Sequence, residues 1–246
     1  MLIERAGPVL VVTLNRPGAR NAIDGALARG LLDAVALLDG DPGLLAGVLA
    51  GAGPGFCAGM DLKAFARGED MGPAFAFVRD GARKPLIAAV EGFALAGGLE
   101  LALACDLIVA ASGARLGIPE ATVGLFAGGG GLLRLPPRVG FGRAMEMALT
   151  GDPISAEEAR DAGLVARVTE PGAATAVARR LAERIARNAP LAVAASKALV
   201  RATQGATEAE FWALQDAHQQ VVFTSDDAQE GPRAFTEKRP PRWTGS

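Results

Sequence analysis

Apolar residues along the chain fall into two periods, and the switch between them lays out the elements. Val9–Asn15 is an apolar, β-branched run closed by Arg16, Pro17 and Gly18, as expected for a buried strand ending in a turn. From about Ala22 to Leu38, apolar side chains return every three or four residues at Ile23, Leu27, Leu31, Val35 and Leu38. That spacing predicts an amphipathic helix, terminated by Gly40, Pro42 and Gly43. Short apolar runs predict further strands at Leu44–Ala50, Leu86–Val90, Leu107–Ala111, Arg115–Ile118 and Val165–Thr169. After Pro171 the strand pattern stops, and Ala173–Asn188 and Leu191–Thr203 read as helices. Ser155-Ala-Glu-Glu158 and Thr207-Glu-Ala-Glu210 fit the reciprocal box that starts a helix, the second opening a helix with Phe211, Leu214, Val221 and Val222. The pattern is α/β followed by a helical appendage, with an expected core over 1–190 and a helical region over 191–246.

Composition narrows the chemistry. A chain of 246 residues that is half hydrophobic can bury a sizeable core, and a formal charge of −2 lacks the basic excess of a nucleic-acid binder. Cys57 and Cys105 are the only cysteines and His218 the only histidine, which leaves no disulfide scaffold and no four-ligand zinc site. Both cysteines sit in apolar stretches and read as small core residues, and His218 as a structural or surface residue. The run Val9–Leu14 has strand length, too short for a membrane span or a signal segment, so a reducing, cytoplasmic setting without membrane contact is expected.

Two glycine-rich segments, Gly51–Leu62 and Gly92–Leu101, each follow a buried strand and lead into a helix. Glycine lets backbone approach a ligand closely, and the first N–H groups of a helix are unpaired donors. Two such donors aimed at one point would hold an oxygen that gains negative charge during a reaction. The alternative is a pair of ordinary tight turns. Gly53-Pro-Gly55-Phe-Cys-Ala58 also fits a dinucleotide-loop spacing, but Pro54 removes a donor and the helix that follows is short.

Gly55-Phe-Cys-Ala-Gly-Met-Asp-Leu-Lys63 closely resembles the first signature of the enoyl-CoA hydratase/isomerase (crotonase) superfamily. Lys84 through Asp106 resembles the second, and Arg115-Leu-Gly-Ile-Pro-Glu120 with Val123-Gly124 the third. The resemblance continues through Met145–Gly151, Glu158–Val165 and Asp226–Gly231 to Ala234–Arg239, in order and over nearly the whole chain. It implies a crotonase-like spiral of repeated ββα units with a C-terminal all-helical region that builds a homotrimer or a dimer of trimers. It also implies an acyl-CoA thioester substrate, with coenzyme A entering only as part of that substrate and no separate cofactor or metal. By matching position, the backbone N–H groups of Met60 and Gly97 would form the oxyanion hole. Arg16, Arg20, Ala22, Met60, Asp61, Leu62 and Lys63 would line the CoA site, with Phe235 and Lys238 at its adenine end.

Glu100 lies in an apolar helical stretch and Glu120 follows Pro119 in a short loop. A carboxylate in apolar surroundings is costly unless partnered, and burial raises its pKa towards a range useful for proton transfer. Family hydratases carry two catalytic glutamates at these matching places. The resemblance therefore implies that Glu100 holds and activates water while Glu120 gives a proton to the α-carbon of a 2-enoyl-CoA. Three departures from the family pattern are visible: Ala96 for a glycine, Glu91 for an asparagine as a third acidic candidate, and the run Gly128–Gly131, which bears on the acyl pocket. The segments Leu132–Pro136 and Glu230–Phe235 resemble carnitinyl-CoA dehydratase-like members. Besides the hydratase, a dehydratase of a specialised acyl-CoA, an enoyl-CoA isomerase and a non-enzymatic CoA-ester-binding scaffold stay open.

Overall fold

A computed structural model describes all residues from Met1 to Ser246. The strands are β1 (Leu2–Ala6), β2 (Val9–Leu14), β3 (Ala46–Gly51), β4 (Leu86–Val90), β5 (Phe93–Leu95), β6 (Leu107–Ala111), β7 (Arg115–Gly117), β8 (Ile154–Ser155) and β9 (Arg167–Thr169). The helices of the first half are α1 (Gly25–Gly40), α2 (Leu62–Ala66), α3 (Gly72–Asp80) and α4 (Gly97–Ala104). They are followed by α5 (Gly131–Arg134), α6 (Pro136–Val139), α7 (Phe141–Thr150) and α8 (Ala156–Asp161). The last four are α9 (Ala174–Ile185), α10 (Pro190–Ala202), α11 (Glu208–Phe223) and α12 (Asp226–Thr236).

One sheet runs β1-β2-β3-β4-β6-β9, with β1 antiparallel at the edge and all other neighbours parallel. A smaller sheet pairs β5 with β7 in parallel and β7 with β8 antiparallel. Consecutive strand pairs thus feed two sheets in turn, β4 to β5 and β6 to β7, which is the stepping of a ββα spiral. The central strands are buried almost throughout, as parallel strands covered on both faces must be. Helix α1 packs Leu27, Ala28, Leu31, Ala34 and Leu38 into the same core as Leu10, Leu14 and Leu49.

The chain divides into two compact units, Met1–Ala182 and Glu183–Ser246. The second contains α10 to α12 and a C-terminal strap held by two buried acids of α12. Asp227 accepts from the backbone of Thr244 and Gly245, and Glu230 from the Arg239 guanidinium and the Arg242 amide.

Most predicted elements are present, with displaced ends. Helix α1 starts at Gly25 rather than Ala22, because the Asp24 carboxylate caps Leu27 N–H while Arg20 and Asn21 hold positive φ. Both predicted capping boxes form, at Ser155/Glu158 and Thr207/Glu210. Strand β1 and helix α3 have no counterpart in the apolar pattern: Leu2 and Ile3 are exposed on an edge, and α3 is only nine residues long, opening with Gly72-Pro73. Cys57 and Cys105 are buried free thiols, and His218 is half-buried on α11. No helix is long and apolar enough to cross a membrane.

Candidate active site

The two glycine-rich loops are knitted together by their backbones. Phe56 and Cys57 donate to Phe93 C=O at 3.0 and 3.3 Å, and Leu95 donates to Cys57 C=O at 3.0 Å. So close an approach excludes side chains: a Cβ on Gly98 would stand 2.2 Å from Cys57 O. Gly59, at φ +103°, turns the first loop towards the second, where a Cβ would stand 3.2 Å from Gly97 N.

This arrangement decides where two amides point. Ile23 and Met60 form a parallel bridge in which Ile23 N–H donates to Gly59 C=O at 2.8 Å and Asp61 N–H donates to Ile23 C=O at 2.9 Å. The neighbours of Met60 therefore face Ile23, and strand alternation turns the Met60 N–H to the opposite side. Gly97 is the first residue of α4, where helix geometry supplies no partner for its N–H. A Cβ on Gly97 would lie 3.6 Å from Met60 N, so the two donors are neighbours. Neither N–H has an acceptor in the protein. Ala96, which connects the loops to α4, takes φ 51° and ψ −132°, a conformation suited to the glycine often found there in the family.

Met60 and Gly97 stand at a cleft of about 390 Å³. Its walls are apolar, with Phe65, Met71, Phe75, Val78, Val123 and Phe126 among them, and its acids are Glu100 and Glu120. Glu100 is 5% exposed and sits on α4. Burial raises its pKa, against the lowering effect of backbone donors at Gly131 and Gly129. Gly131 N–H donates to Glu100 Oε1 at 2.9 Å. A Cβ on Gly129 would stand 2.5 Å from Glu100 Oε2. The glycine run thus lets a loop close around one carboxylate.

Glu120 lies in a 3-10 turn, Pro119–Val123. Burial, reinforced by the nearby Glu100 charge, pushes its pKa up to about 7. Its Oε2 is buried with no hydrogen-bond partner in the protein. One carboxylate is therefore anchored by the protein and the other faces the cleft with an oxygen to satisfy.

The remaining expected residues separate. Leu62 lines the cleft and Lys63 is exposed beside it, while Asp61 caps α2 by accepting from Lys63 and Ala64 N–H at 3.1 Å each. The exposed Arg20 guanidinium lies 4.7 Å from the centre of the Phe93 ring. Arg16 is committed elsewhere: it contacts Asp24 and Asp61 at 3.1 Å each and donates to Ala22 C=O. The guanidinium is thus held between two carboxylates and a carbonyl. Phe235, 85% exposed, and Lys238, at φ 54°, belong to the second unit. Glu91 accepts from Gly172 and Ala174 N–H at 3.0 and 2.9 Å, a structural task at the start of α9 and away from the cleft lining.

Residues 4–246 match the family model described as enoyl-CoA hydratase/isomerase. The chain belongs to the enoyl-CoA hydratase/isomerase family. Enoyl-CoA hydratase EchA19 of Mycobacterium tuberculosis is 42% identical, with 98% of this chain and 95% of that protein covered. A carnitinyl-CoA dehydratase of Salmonella arizonae is also 42% identical, over 99% and 97% of the two chains. A crystal structure of an enoyl-CoA hydratase from Mycobacterium tuberculosis H37Rv superposes with a TM-score of 0.96 at 53% identity, covering 100% of this chain and 98% of that one. The crotonase fold expected from the signatures is the fold observed.

The cleft walls contributed by α3, and the grip of Gly129 and Gly131 on Glu100, were not legible in the sequence. The glycine run is conspicuous, but nothing local pairs it with a glutamate 31 residues earlier.

Proposed function

We propose that the protein is an enoyl-CoA hydratase, adding water reversibly to a trans-2-enoyl-CoA to give the 3-hydroxyacyl-CoA. The observation that carries this reading is one apolar cleft holding two free, neighbouring N–H donors and two carboxylates of raised pKa. The thioester oxygen sits between the amides of Met60 and Gly97, which stabilise the negative charge that develops on it. Glu100, held by the Gly131 amide, takes a proton from water as the oxygen attacks C3. The electron pair of the double bond moves towards the thioester oxygen, and Glu120 delivers its proton to C2. Each glutamate ends in the other's starting state, so the reverse reaction runs through the same groups.

Leu62, which lines the cleft, and the adjoining Lys63 support a route for the CoA arm on this side, with Arg20 and Ala22 as further candidates; Phe235 and Lys238 are separate candidates for contact with adenine. The apolar walls favour an uncharged alkyl chain. The second reading, a dehydratase of a specialised acyl-CoA, draws on the carnitinyl-CoA dehydratase likeness and on the rings of Phe65, Phe75 and Phe126, whose faces suit a cationic acyl group. Exposed Trp212, Val221 and Phe223 on α11 support burial of this helix in a homotrimer or dimer of trimers. The buried free thiols fit a reducing, cytoplasmic setting.

The test is a panel of short, medium, branched and cationic trans-2-enoyl-CoA esters followed by loss of the conjugated thioester absorbance. Hydration of the alkyl esters is expected. Turnover of the cationic ester alone would move the assignment to the second reading. Tight binding with no turnover on any ester would leave a binding scaffold.

A further inference from the structure

We propose that Arg16 is a positioning residue for the Met60 amide, acting through both sides of the Ile23–Met60 bridge, rather than a ligand of the CoA phosphates. The inference rests on the hydratase reading of the cleft and goes beyond it by giving a half-buried arginine outside the cleft lining a part in carbonyl polarisation.

The bridge is short. Two hydrogen bonds fix it, Ile23 N–H to Gly59 C=O and Asp61 N–H to Ile23 C=O, and they fall on either side of Met60. An isolated pair of this kind has no sheet to stiffen it. Arg16 supplies the missing constraint from a third segment. Its Nη1 donates to Ala22 C=O, immediately before Ile23, and its Nε meets Asp24 Oδ2, immediately after it, at 3.1 Å. Its Nη2 meets Asp61 Oδ2, immediately after Met60, at 3.1 Å. One planar guanidinium therefore grips the chain on both sides of the bridge, which a lysine ammonium cannot do with one point charge.

The aspartates extend the grip. Asp24 also caps α1 through Leu27 N–H, and Asp61 caps α2 through Lys63 and Ala64 N–H. Arg16 is itself anchored: its backbone N–H donates to Asn21 Oδ1 at 2.8 Å. Asn21 is 1% exposed and donates to Ala52 and Gly55 C=O at 2.9 Å each. A continuous set of hydrogen bonds thus runs from the root of the first glycine-rich loop through Arg16 to the residue after Met60. Loss of the clamp frees the Met60 amide to tilt away from the point it shares with Gly97.

The experiment compares wild type with Arg16→Met and Arg16→Lys on two thioesters of the same enoyl acid, one of CoA and one of pantetheine without the nucleotide. A conjugated aryl-enoyl thioester supplies a third readout, because its absorbance moves to longer wavelength when its carbonyl is polarised. For Arg16→Met, kcat is expected to fall roughly 10-fold or more on both thioesters, as loss of alignment of one oxyanion donor implies. KM for the CoA ester should stay within about twofold, since only alignment in the transition state is lost. The red shift should shrink, and Arg16→Lys should recover part of both effects. A raised KM for the CoA ester alone, with kcat and red shift intact, would make Arg16 a nucleotide ligand and overturn the proposal. A destabilised variant that keeps wild-type kcat and red shift would overturn it as well. Should Arg16→Met not fold, Asp61→Asn, which keeps a capping oxygen and loses the ion pair, is expected to show the same signature to a smaller degree. A wild-type protein that turns over neither thioester would defeat the hydratase reading, while the red shift would still report on Arg16.

Discussion

Glu100 in the first unit and Glu230 in the second are almost equally hidden from water, at 5% and 6% exposure, yet the fold drives them in opposite directions. Glu230 is held well below the usual carboxylate range because the Arg239 and Arg233 guanidinium groups and the Arg242 amide donate to it. Glu100 and Glu120 lie among apolar side chains, and burial raises both. What differs is the partner set. Where cations surround a carboxylate, burial makes a strut. Where the walls are apolar, the same residue type has a raised pKa, the condition that the proposed proton transfers need.

The comparison breaks most readily at Glu120. Glu120→Gln should fold and bind a CoA thioester yet lose at least ~10²-fold in turnover, because the amide cannot deliver a proton. Undiminished hydration in that variant would remove Glu120 from the chemistry. Gly129→Ala tests the anchor on the other acid: its Cβ would stand 2.5 Å from Glu100 Oε2 and displace the carboxylate. A fall of roughly 10-fold in kcat with KM little changed is the expected signature of misplaced reacting groups. An unchanged kcat would show that Glu100 has room to spare.

Glu230→Gln should leave a different mark. A carboxylate with a depressed pKa contributes stability that is present above its unfolded pKa and lost as pH falls through its folded one. The variant should therefore melt below wild type at neutral pH, and the gap should narrow in acid as wild-type Glu230 takes up a proton. A gap that does not vary with pH would mean that shape, rather than charge, is what Glu230 contributes.

Glu120 should show the reverse sign. Its folded pKa lies above its unfolded value, so the fold is penalised as pH rises from the ordinary glutamate range, 4.5, to about 7 and beyond. Glu120→Gln should gain stability over wild type at about pH 8, on the order of 1–3 kcal/mol, and gain nothing at about pH 4. The proton carrier would then be a place where function costs stability. A gain that persists in acid would assign the effect to packing.

The sequence carried the fold further than it carried the site's supports. The strands at Leu86–Val90 and Leu107–Ala111 were legible residue for residue, because a parallel strand buried on both faces is a continuous apolar run. The start of α1 was not: Ile23 fits the apolar period, but the Asp24 cap decides the boundary. Strand β1 was invisible because an edge strand with exposed Leu2 and Ile3 shows no buried face. The loops carrying Met60 and Gly97, and the pair Glu100 and Glu120, could be named from motifs and from acids set in apolar surroundings. What fixes them could not, since Gly131 to Glu100 and Arg16 to Asp61 are contacts between segments 31 and 45 residues apart. Arg16 shows the consequence: a cation beside an expected phosphate site invites a ligand role, and only the placement of Asp24 and Asp61 reveals its ion pairs.

The pH dependence of kcat/KM for hydration of a short trans-2-enoyl-CoA tests the proton-carrier claim most directly. In the proposed mechanism Glu120 must carry a proton, so kcat/KM should fall as pH rises through the Glu120 pKa, about 7, and Glu120→Gln should abolish that limb. A wild-type profile that stays flat through neutrality, with a limb only in the ordinary carboxylate range, would contradict it.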